Sequence, residues 1–535
     1  MVAQLSPGHD LTAEVPVART VTVADLGACL DELAAYHAYY APYFRPDQRA
    51  WAEVYLRGLL TADVPRKNIE AMVLRLRGAG PDAACQVRAA QYFISQGAWD
   101  DTAVLAAHHR LVDATLGEDD GVFLIDGSDV PKQGQQSVGV ARQWCGATGK
   151  RDNCQAGVYL GYVSRRGYTL LDRRLYLPEP WFTAASRDRW DACRIPDDTV
   201  FQTKHQLAAA LLDGVLAERR VRAQWVACDE GFGNDPALLD ALAGQGLWYL
   251  AEVPCNTLVW PLEEPEGAPR LRPATWVPPR TTPGRGRSPQ VARVHPASPA
   301  RLRVDAWAAA APAHRWERYR ILEGSKGPLV AEFLTLRAVQ ARDKLPGPEG
   351  WLVVRRTLPS GADPPVYKYY LSNAPVGTPT PALVRVSGLR WPIESCFTEG
   401  KSELGLDHYE VRTWRGWHHH LTLVILAHFF LMRLVLRLNQ REGGLRPGHA
   451  TPAGAGGAAG TGGGPGSHAG TGGGAGEPGG GTPAVACAAA AAGAGRVDRA
   501  GAGGLPAAAQ DSGLSGPPRA TAPPPPRPGP LTLSL

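Results

Sequence analysis

The stretch LRWPIESCFTEGKSELGLDHYEVRTWRGWHHH, residues 389–420, determines how the rest of the chain is interpreted. Pro392 suits the first turn of a helix, because the amide hydrogen that proline lacks would have no partner there. Glu394 and Lys401 are two helical turns apart and therefore share one side of that helix. A second side, which we expect to pack on a core, carries residues at helical spacing: Ile393, Phe397, Gly400 and Leu404.

This helix alone allows two interpretations. A carboxylate and an amine beside a buried face, followed by HYEVRTWRGW, are typical of a site that meets a metal ion and a polyanion. An exposed helix with a solvated charge pair explains the same residues, since surface ion pairs contribute little and need no function. The rest of the chain decides between the two.

The composition limits the class of protein. A chain of 535 residues is long enough for two or three domains, and its formal net charge of +5 permits nucleic-acid binding without indicating it. The first residues lack a secretory signal pattern, so we do not expect secretion. Nine cysteines without any C-x-x-C pair predict reduced thiols in a cytosolic protein and argue against structural zinc.

The N-terminal part reads as helical after a flexible start at residues 1–25. Apolar residues at three- and four-residue spacing, separated by Gly, Pro and Asp, predict a helical domain over residues 26–118. Its basic residues make it a candidate DNA-binding module, although a solvated helical surface explains them as well. These residues are Arg45, Arg49, Arg57, Arg66, Lys67, Arg75, Arg77 and Arg88.

Residues 119–254 alternate between strand and helix patterns. GVFLI is a short apolar strand that runs into Asp126, and QWVAC is another that delivers Asp229. Further strands are predicted in VGVARQWCG, AGVYLGYVS, YTLLDRRLYLP and LWYLAEVP, with helices near residues 203–218 and 236–243. This alternation predicts an α/β fold, a mixed sheet with helices on its faces.

The C-terminal part divides into three segments. Residues 255–387 read as a strand-rich insertion with one basic Pro/Arg-rich loop, and residues 388–441 return to the α/β core. The apolar run 421–438 is broken by His428 and Arg433, so we expect a core helix and no membrane span. Residues 442–535 are mostly Gly, Ala and Pro and contain no Lys, Ile, Phe, Tyr, Trp, Met or Asn, which predicts disorder and suggests a frameshifted reading of GC-rich DNA.

Three carboxylates stand where a metal site would need them. Asp126 and Asp229 each end an apolar strand, and Glu394 begins a late helix. Strand ends in open α/β sheets collect ligands, and Mg²⁺ prefers a few carboxylate oxygens. Two such ions can assist an in-line displacement at phosphorus. Each aspartate alone is weak evidence, because aspartate is also common in turns and helix caps.

The three blocks that hold these carboxylates resemble those of bacterial insertion-sequence transposases of the DDE superfamily, in the branch with a Tyr-Arg-Glu-Lys signature. IDGSDVPKQG with SVGVARQWCG, ACDEGFGND, and WPIESCFTEGKSELGLDHYEVRTWRGWHHH are the matching segments. Arg390, Glu394 and Lys401 have the spacing of the signature, whereas Ser387 stands where its tyrosine is expected.

The resemblance implies an RNase H-like core, with a strand insertion before the helix that carries Glu394. It implies that Asp126, Asp229 and Glu394 are the catalytic residues and hold two Mg²⁺ ions, with Mn²⁺ as a substitute. Arg390 and Lys401 would then bind phosphates of the DNA.

Further DNA contacts are expected around these blocks at Lys132, Arg412 and Trp414. Four basic residues could contact phosphates near Asp126, or they could belong to a solvated loop: Lys132, Arg142, Lys150 and Arg151. Trp414 and Tyr409 could stack on an unpaired base or pack under the last helix. We expect Asp129 to be a turn residue and not a metal ligand. Three adjacent histidines, His418, His419 and His420, point in different directions on a helix and would form a poor metal site.

The sequence therefore predicts a transposase that binds the ends of its insertion sequence, cleaves there and joins a 3′-OH to target DNA. We expect a homodimer in the DNA complex and a cytoplasmic, nucleoid-associated protein without membrane contact. Two alternatives stay open: a catalytically decayed protein that only occupies element ends, and an RNase H-like nuclease without strand joining.

Overall fold

The computed structural model describes residues 9–10, 23–217, 220–264, 266–276, 292–324, 327–358 and 364–441. The predicted disordered tail at 442–535, most of the predicted flexible start at 1–25 and most of the basic loop of the insertion lie outside these residues.

The N-terminal region is helical, as predicted. A two-residue strand, β1 (His9–Asp10), precedes α1 (Val23–Tyr40), α2 (Pro46–Leu60), α3 (Ile69–Arg77), α4 (Ala83–Ser95) and α5 (Asp101–Leu116). Two of these helices begin with side-chain caps: the carboxamide of Asn68 accepts from the Ala71 amide, and Asp100 accepts from the amides of Thr102 and Ala103. Such caps satisfy amide groups that the first helical turn leaves without partners.

The central sheet follows in the chain. Its elements are β2 (Val122–Pro131), β3 (Ala141–Cys145), β4 (Lys150–Ser164), β5 (Gly167–Tyr176), α6 (Arg187–Cys193), α7 (Lys204–Leu216), β6 (Trp225–Cys228), α8 (Glu230–Gly233), α9 (Pro236–Gly244) and β7 (Trp248–Val253). β2, β6 and β7 are neighbouring parallel strands, while β4 runs antiparallel to β2, β3 and β5. This mixed sheet with flanking helices confirms the predicted α/β fold of RNase H-like type.

The predicted insertion extends this sheet. It contains β8 (Leu258–Pro261), β9 (Thr275–Trp276), β10 (Arg293–Val294), β11 (Leu302–Arg303), α10 (Val304–Ala310), β12 (Glu317–Gly324), β13 (Gly327–Arg342), β14 (Leu345–Thr357) and β15 (Tyr367–Ser372). The order β7-β15-β14-β13-β12-β1 continues the central sheet, with β15 antiparallel to β7. The insertion therefore reaches the core through the strand beside β7.

Three helices complete the described chain: α11 (Thr380–Gly388), α12 (Pro392–Ser402) and α13 (Trp414–Arg441). The last helix contains the predicted core helix at residues 421–438 and begins two turns earlier, at Trp414. The reason is that Trp417, His419 and His420 are buried, although the sequence reads as polar there. α13 is the one described helix long and apolar enough to cross a membrane, and 67% of that apolar window is buried within the fold.

α13 packs against the N-terminal helices and β5. The hydroxyl of Tyr36 donates to the carbonyl of Leu426 at 2.8 Å, and the hydroxyl of Tyr55 lies 2.8 Å from Nδ1 of His420. The ring of His419 stacks on Trp99 with centroids 3.6 Å apart. The core of the helical region and the core of the sheet are therefore one continuous cluster of buried side chains.

Five of the buried histidines predict that the fold is sensitive to acid. Burial lowers the pKa of His108, His418 and His420 to about 3, and that of His109 and His419 to about 4. In the unfolded chain each imidazole titrates near 6.5, so the unfolded state binds more protons between about pH 6.5 and 4. Their contribution to stability is complete above pH 6.5 and is lost as the pH falls, at about 1.4 kcal/mol per pH unit for each histidine.

Urea unfolding at pH 7.5, 6.0 and 5.0 tests this expectation. The free energy of unfolding should fall by several kcal/mol between pH 7.5 and 5.0, which is a large part of the stability of an ordinary domain. A free energy that stays level over this range would show that the histidines are not held neutral by burial.

Candidate active site

The register of the three parallel strands brings carboxylates into one row. Ile125 of β2 pairs with Cys228 of β6, and Cys228 pairs with Ala251 of β7. The next residue on each strand is acidic: Asp126, Asp229 and Glu252. Adjacent strands lie about 4.8 Å apart, so these side chains are close neighbours at the carboxyl end of the parallel part of the sheet.

Asp126 and Asp229 differ in how their backbones continue. The prediction that Asp126 ends a strand was wrong, because β2 continues to Pro131 on the antiparallel ladder with the long strand β4. Only the parallel pairing of β2 with β6 stops before Asp126. Asp229 does follow the end of β6, and its Oδ1 accepts from the amide of Phe232 at 3.2 Å as the N-cap of α8.

Helix α12 places Glu394 opposite this row. Ile393 is fully buried, and the ring of Phe397 meets Tyr159 of β4 edge-on with centroids 5.1 Å apart. These contacts fix the apolar side of α12 on the sheet, as its spacing predicted. Glu394 lies in the first turn of α12 and is exposed, so its carboxylate faces the open space beside Asp126.

The acidic side chains line an open cleft of about 480 Å³. Its wall combines carboxylates, two cations and the backbone of the turn after β3. The lining residues include Asp126, Asp129, Gly146, Ala147, Asp229, Glu252, Arg390, Glu394 and Lys401. Of the eight residues predicted to be catalytic or DNA-binding, five therefore come together here.

Arg390 lies among the carboxylates. Its Nη2 donates to Oε1 of Glu394 at 2.7 Å, its Nε is 3.6 Å from Oε2 of Glu252, and its Nη1 is 3.9 Å from Oδ2 of Asp126. Burial opposes the charge of Arg390, but Glu394, Glu252 and Asp126 together raise the pKa of its guanidinium. One cation thus holds three anionic side chains near one another.

This cation does not neutralise the row. Burial, and next the charge of Asp229, raise the pKa of Asp126 to about 7, although Arg390 and the Gly127 amide act in the opposite direction. The pKa of Asp229 is also raised by burial, against the hydrogen bond from Phe232. The cleft therefore holds more negative charge than its own cations balance, which is the condition for binding a further cation.

Glu252 is a site residue that sequence reasoning missed. Nζ of Lys368, on β15, lies 2.8 and 3.1 Å from its two carboxylate oxygens, so the insertion supplies the partner of the third acid in the row. An acidic residue inside the apolar strand LWYLAEVP was the available signal. Only the register with β6 shows that Glu252 stands level with Asp229.

Asp129 also lines the cleft, and the prediction of a turn residue was wrong because it lies within β2. Its Oδ2 accepts from the amide of Gly146 at 2.7 Å, and Nζ of Lys204 is 4.0 Å from its Oδ1. Nζ of Lys401 is 3.5 Å from its carbonyl oxygen. Asp129 therefore has an amide and a cationic partner outside the row. The partners of Asp126 are the Gly127 amide at 2.7 Å and Arg390 at 3.9 Å, and Asp126 shares this arginine with Glu252 and Glu394.

The other predicted DNA contacts lie outside the cleft lining. Nζ of Lys132 is 3.8 Å from the ring centroid of Tyr409, and burial lowers its pKa to about 8. Arg412 is exposed in the loop before α13, and Trp414 is half-buried with its ring 4.4 Å from His418.

Tyr409 is buried, and its hydroxyl donates to Oε1 of Gln155 at 2.7 Å. It therefore packs beneath the surface and cannot stack on a base. Ser387, which departs from the expected tyrosine, is buried in α11 and donates to the carbonyl of Val384.

The donor atoms of the cleft fit a hard divalent cation in type, because all are carboxylate oxygens. Their arrangement is not closed around a point: among the described residues, no group of three or more His, Cys, Asp or Glu side chains is disposed to hold a metal ion. The reason is visible at Glu394, whose carboxylate is turned to Arg390. Asp126, Asp229 and Glu394 could hold a cation once Glu394 leaves Arg390.

Comparison with known protein families matches residues 29–328 to the model of a DDE superfamily endonuclease. This range includes Asp126 and Asp229 and ends before α12, so the place of Glu394 rests on the geometry of the cleft. No curated protein matches the chain.

Clustered buried carboxylates cost stability, which gives a first test of the site. Replacing Asp126 by Asn removes one negative charge from the row and keeps the oxygen that accepts from Gly127. At pH 8 and without divalent metal, Asp126→Asn should raise the free energy of unfolding by about 1 to 3 kcal/mol. The sign follows because an acid whose folded pKa is raised destabilises the fold above that pKa.

Asp129→Asn is the matched control for this denaturation experiment. The charge of Asp129 is stabilised by the Gly146 amide and Lys204, so this variant should not be more stable than the parent. Equal effects of the two substitutions, or a loss of stability in Asp126→Asn, would contradict the crowded-carboxylate description.

Proposed function

The chain belongs to the DDE superfamily of endonucleases, and from that premise we propose that it is a transposase of a bacterial insertion sequence. The enzyme binds the ends of its element, cleaves the DNA there and joins the free 3′-OH to target DNA. The observation that supports this proposal best is the row of Asp126 and Asp229 on adjacent parallel strands, with Glu394 opposite and Arg390 and Lys401 beside it.

The proposed reaction is phosphoryl transfer in two steps. In the first, a water oxygen bonds to the phosphorus at the element end and the P–O3′ bond breaks, which leaves a 3′-OH and a 5′-phosphate. In the second, that 3′-OH oxygen bonds to a phosphorus of the target and displaces another 3′-OH. Each step exchanges one P–O bond for another, so no external energy source is required.

Asp126, Asp229 and Glu394 are the proposed ligands of Mg²⁺ or Mn²⁺, with two ions as in the sequence prediction. Such ions supply Lewis-acid stabilisation of the phosphoryl oxygens and lower the pKa of the attacking hydroxyl. The chain itself positions the DNA: the Arg390 guanidinium matches the geometry of a phosphate, and Lys401 acts as a point charge on the neighbouring phosphate.

The helical N-terminal region remains the proposed reader of the element ends. Part of its positive charge is already compensated, since Arg45, Arg57 and Arg75 pair with carboxylates on the same region. Arg88, on α4, is exposed without an ionic partner in the described part of the chain. A homodimer on two paired ends and a cytoplasmic, nucleoid-associated location complete the proposal.

A cleavage and joining assay on labelled end DNA tests the catalytic assignment. Asp126→Asn, Asp229→Asn and Glu394→Gln should each lower cleavage and joining by about a thousandfold or more while end binding stays intact, because each removes charge that holds the cation. Chelator should abolish activity of the parent, and Mn²⁺ should restore it. Asp129→Asn is the control and should retain cleavage.

Other outcomes of this assay select the alternatives. Cleavage without joined product would identify an RNase H-like nuclease, and end binding without cleavage in the parent would identify a decayed DNA-binding protein. Cleavage by Glu394→Gln, or loss of cleavage in Asp129→Asn alone, would show that the site is wrongly assigned.

Lys401 should behave as a DNA contact rather than a ligand. Lys401→Ala should weaken end binding and reduce the slope of log affinity against log salt by about 1, the value for one lost phosphate contact. Some cleavage should persist at high protein concentration. Lys344, exposed at the turn between β13 and β14, provides a matched control. Equal salt slopes for the parent and Lys401→Ala would contradict a phosphate contact.

A further inference from the structure

Trp144 is exposed to an unusual degree. It retains 62% of its accessible surface and is the one tryptophan among the large exposed apolar side chains of the described residues. It lies on β3, a short strand in which Arg142 and Trp144 face solvent while Cys145 is buried. A large aromatic surface left in water at the side of a sheet is a candidate contact for a partner.

The strand register places Trp144 on the same face of the sheet as Asp126. Trp144 pairs with Arg151 of β4, and alternate residues of β4 share one face, down to Tyr159, which pairs with Asp126. Tyr159 packs on Phe397 of α12, so this is the face that carries the helix of Glu394.

The turn after β3 connects Trp144 with the cleft. Gly146, two residues beyond Trp144, donates its amide hydrogen to Oδ2 of Asp129 at 2.7 Å. Gly146 and Ala147 are themselves part of the cleft lining. A strand of DNA that leaves the cleft over this turn would therefore pass the exposed side of Trp144.

Two arginines flank the indole. Arg142 lies two residues before Trp144, and Arg151 lies opposite it on β4. Both are exposed, and neither has an ion-pair partner within the described residues, whereas the neighbouring Lys150 pairs with Asp152 at 3.9 Å. In a single nucleic-acid strand each base is attached to a sugar with a phosphate on either side. An aromatic ring with an unpaired cation on each side matches this arrangement.

We propose that Arg142, Trp144 and Arg151 form a stacking platform for an unpaired base beside the cut, with the indole under the base and the arginines on its flanking phosphates. This proposal rests on the proposed function, since it requires DNA in the cleft. A second copy of the chain is the less suitable occupant, because an isologous contact would place the uncompensated charges of Arg142 and Arg151 against the same charges of the second copy.

Fluorescence binding measurements can test the platform without catalysis. The parent protein in chelator is titrated into two element-end duplexes, one blunt and one with a short unpaired strand carrying 2-aminopurine. Trp144→Ala should weaken binding of the second DNA about five- to a hundredfold, remove the quenching of 2-aminopurine, and leave the salt slope unchanged. Blunt DNA should be affected less than about twofold, since it offers no free base to stack.

Two further variants separate stacking from folding. Trp144→Phe should restore most of the affinity and quenching, because it keeps an aromatic face. Val376→Ala, at a 73% exposed apolar side chain in the loop between β15 and α11, should change neither. The double variant Arg142→Gln/Arg151→Gln should reduce the slope of log affinity against log salt by about 2, because two phosphate contacts are lost. It should retain the quenching of 2-aminopurine, since Trp144 is kept.

Each result supports or overturns the proposal. Salt-dependent DNA binding by the parent that is unaffected in Trp144→Ala would overturn the platform and leave the proposed function standing. No DNA binding by the parent would overturn both. Normal DNA binding by Trp144→Ala with a lost dimer in sedimentation would assign Trp144 to a contact between copies of the chain and overturn the platform.

Discussion

The contact between Arg390 and the carboxylates of Asp126, Glu252 and Glu394 is the interaction on which the cleft depends. The register of three parallel strands forces acidic side chains into one row, where their mutual repulsion and burial oppose ionisation. A single guanidinium offsets part of this repulsion. The remaining negative charge would favour the binding of a further cation, as the proposed function requires.

The insertion is part of this arrangement. Its strand β15 lies beside β7, and Lys368 on β15 holds Glu252, which in turn contacts Arg390. The position of Arg390 therefore depends on the central sheet, on α12 and on the insertion together. A substitution that displaces β15 should therefore change the cleft through the contact between Lys368 and Glu252.

The sequence led to Asp126, Asp229 and Glu394 through apolar strand patterns, helical spacing and the resemblance of three blocks, and all three residues line the cleft. Glu252 was not found, because its significance comes from strand register, which a single sequence does not reveal. Asp129 was misread because IDGSDVP has turn residues, while the ladder to the long β4 keeps it extended. Tyr409, a candidate for stacking on a base, is buried against Gln155 and Lys132, and this burial is a tertiary effect that a single sequence does not reveal.

We propose that Asp126, Asp229 and Glu394 bind divalent cations when Glu394 leaves Arg390. Anomalous diffraction from crystals grown with Mn²⁺ and end DNA tests it most directly. We expect manganese peaks in contact with these three carboxylates, with the Glu394 carboxylate turned away from Arg390 and with Arg390 in contact with a phosphate. Manganese bound elsewhere, or a cleft without manganese in which Arg390 still holds Glu394 beside bound DNA, would contradict it.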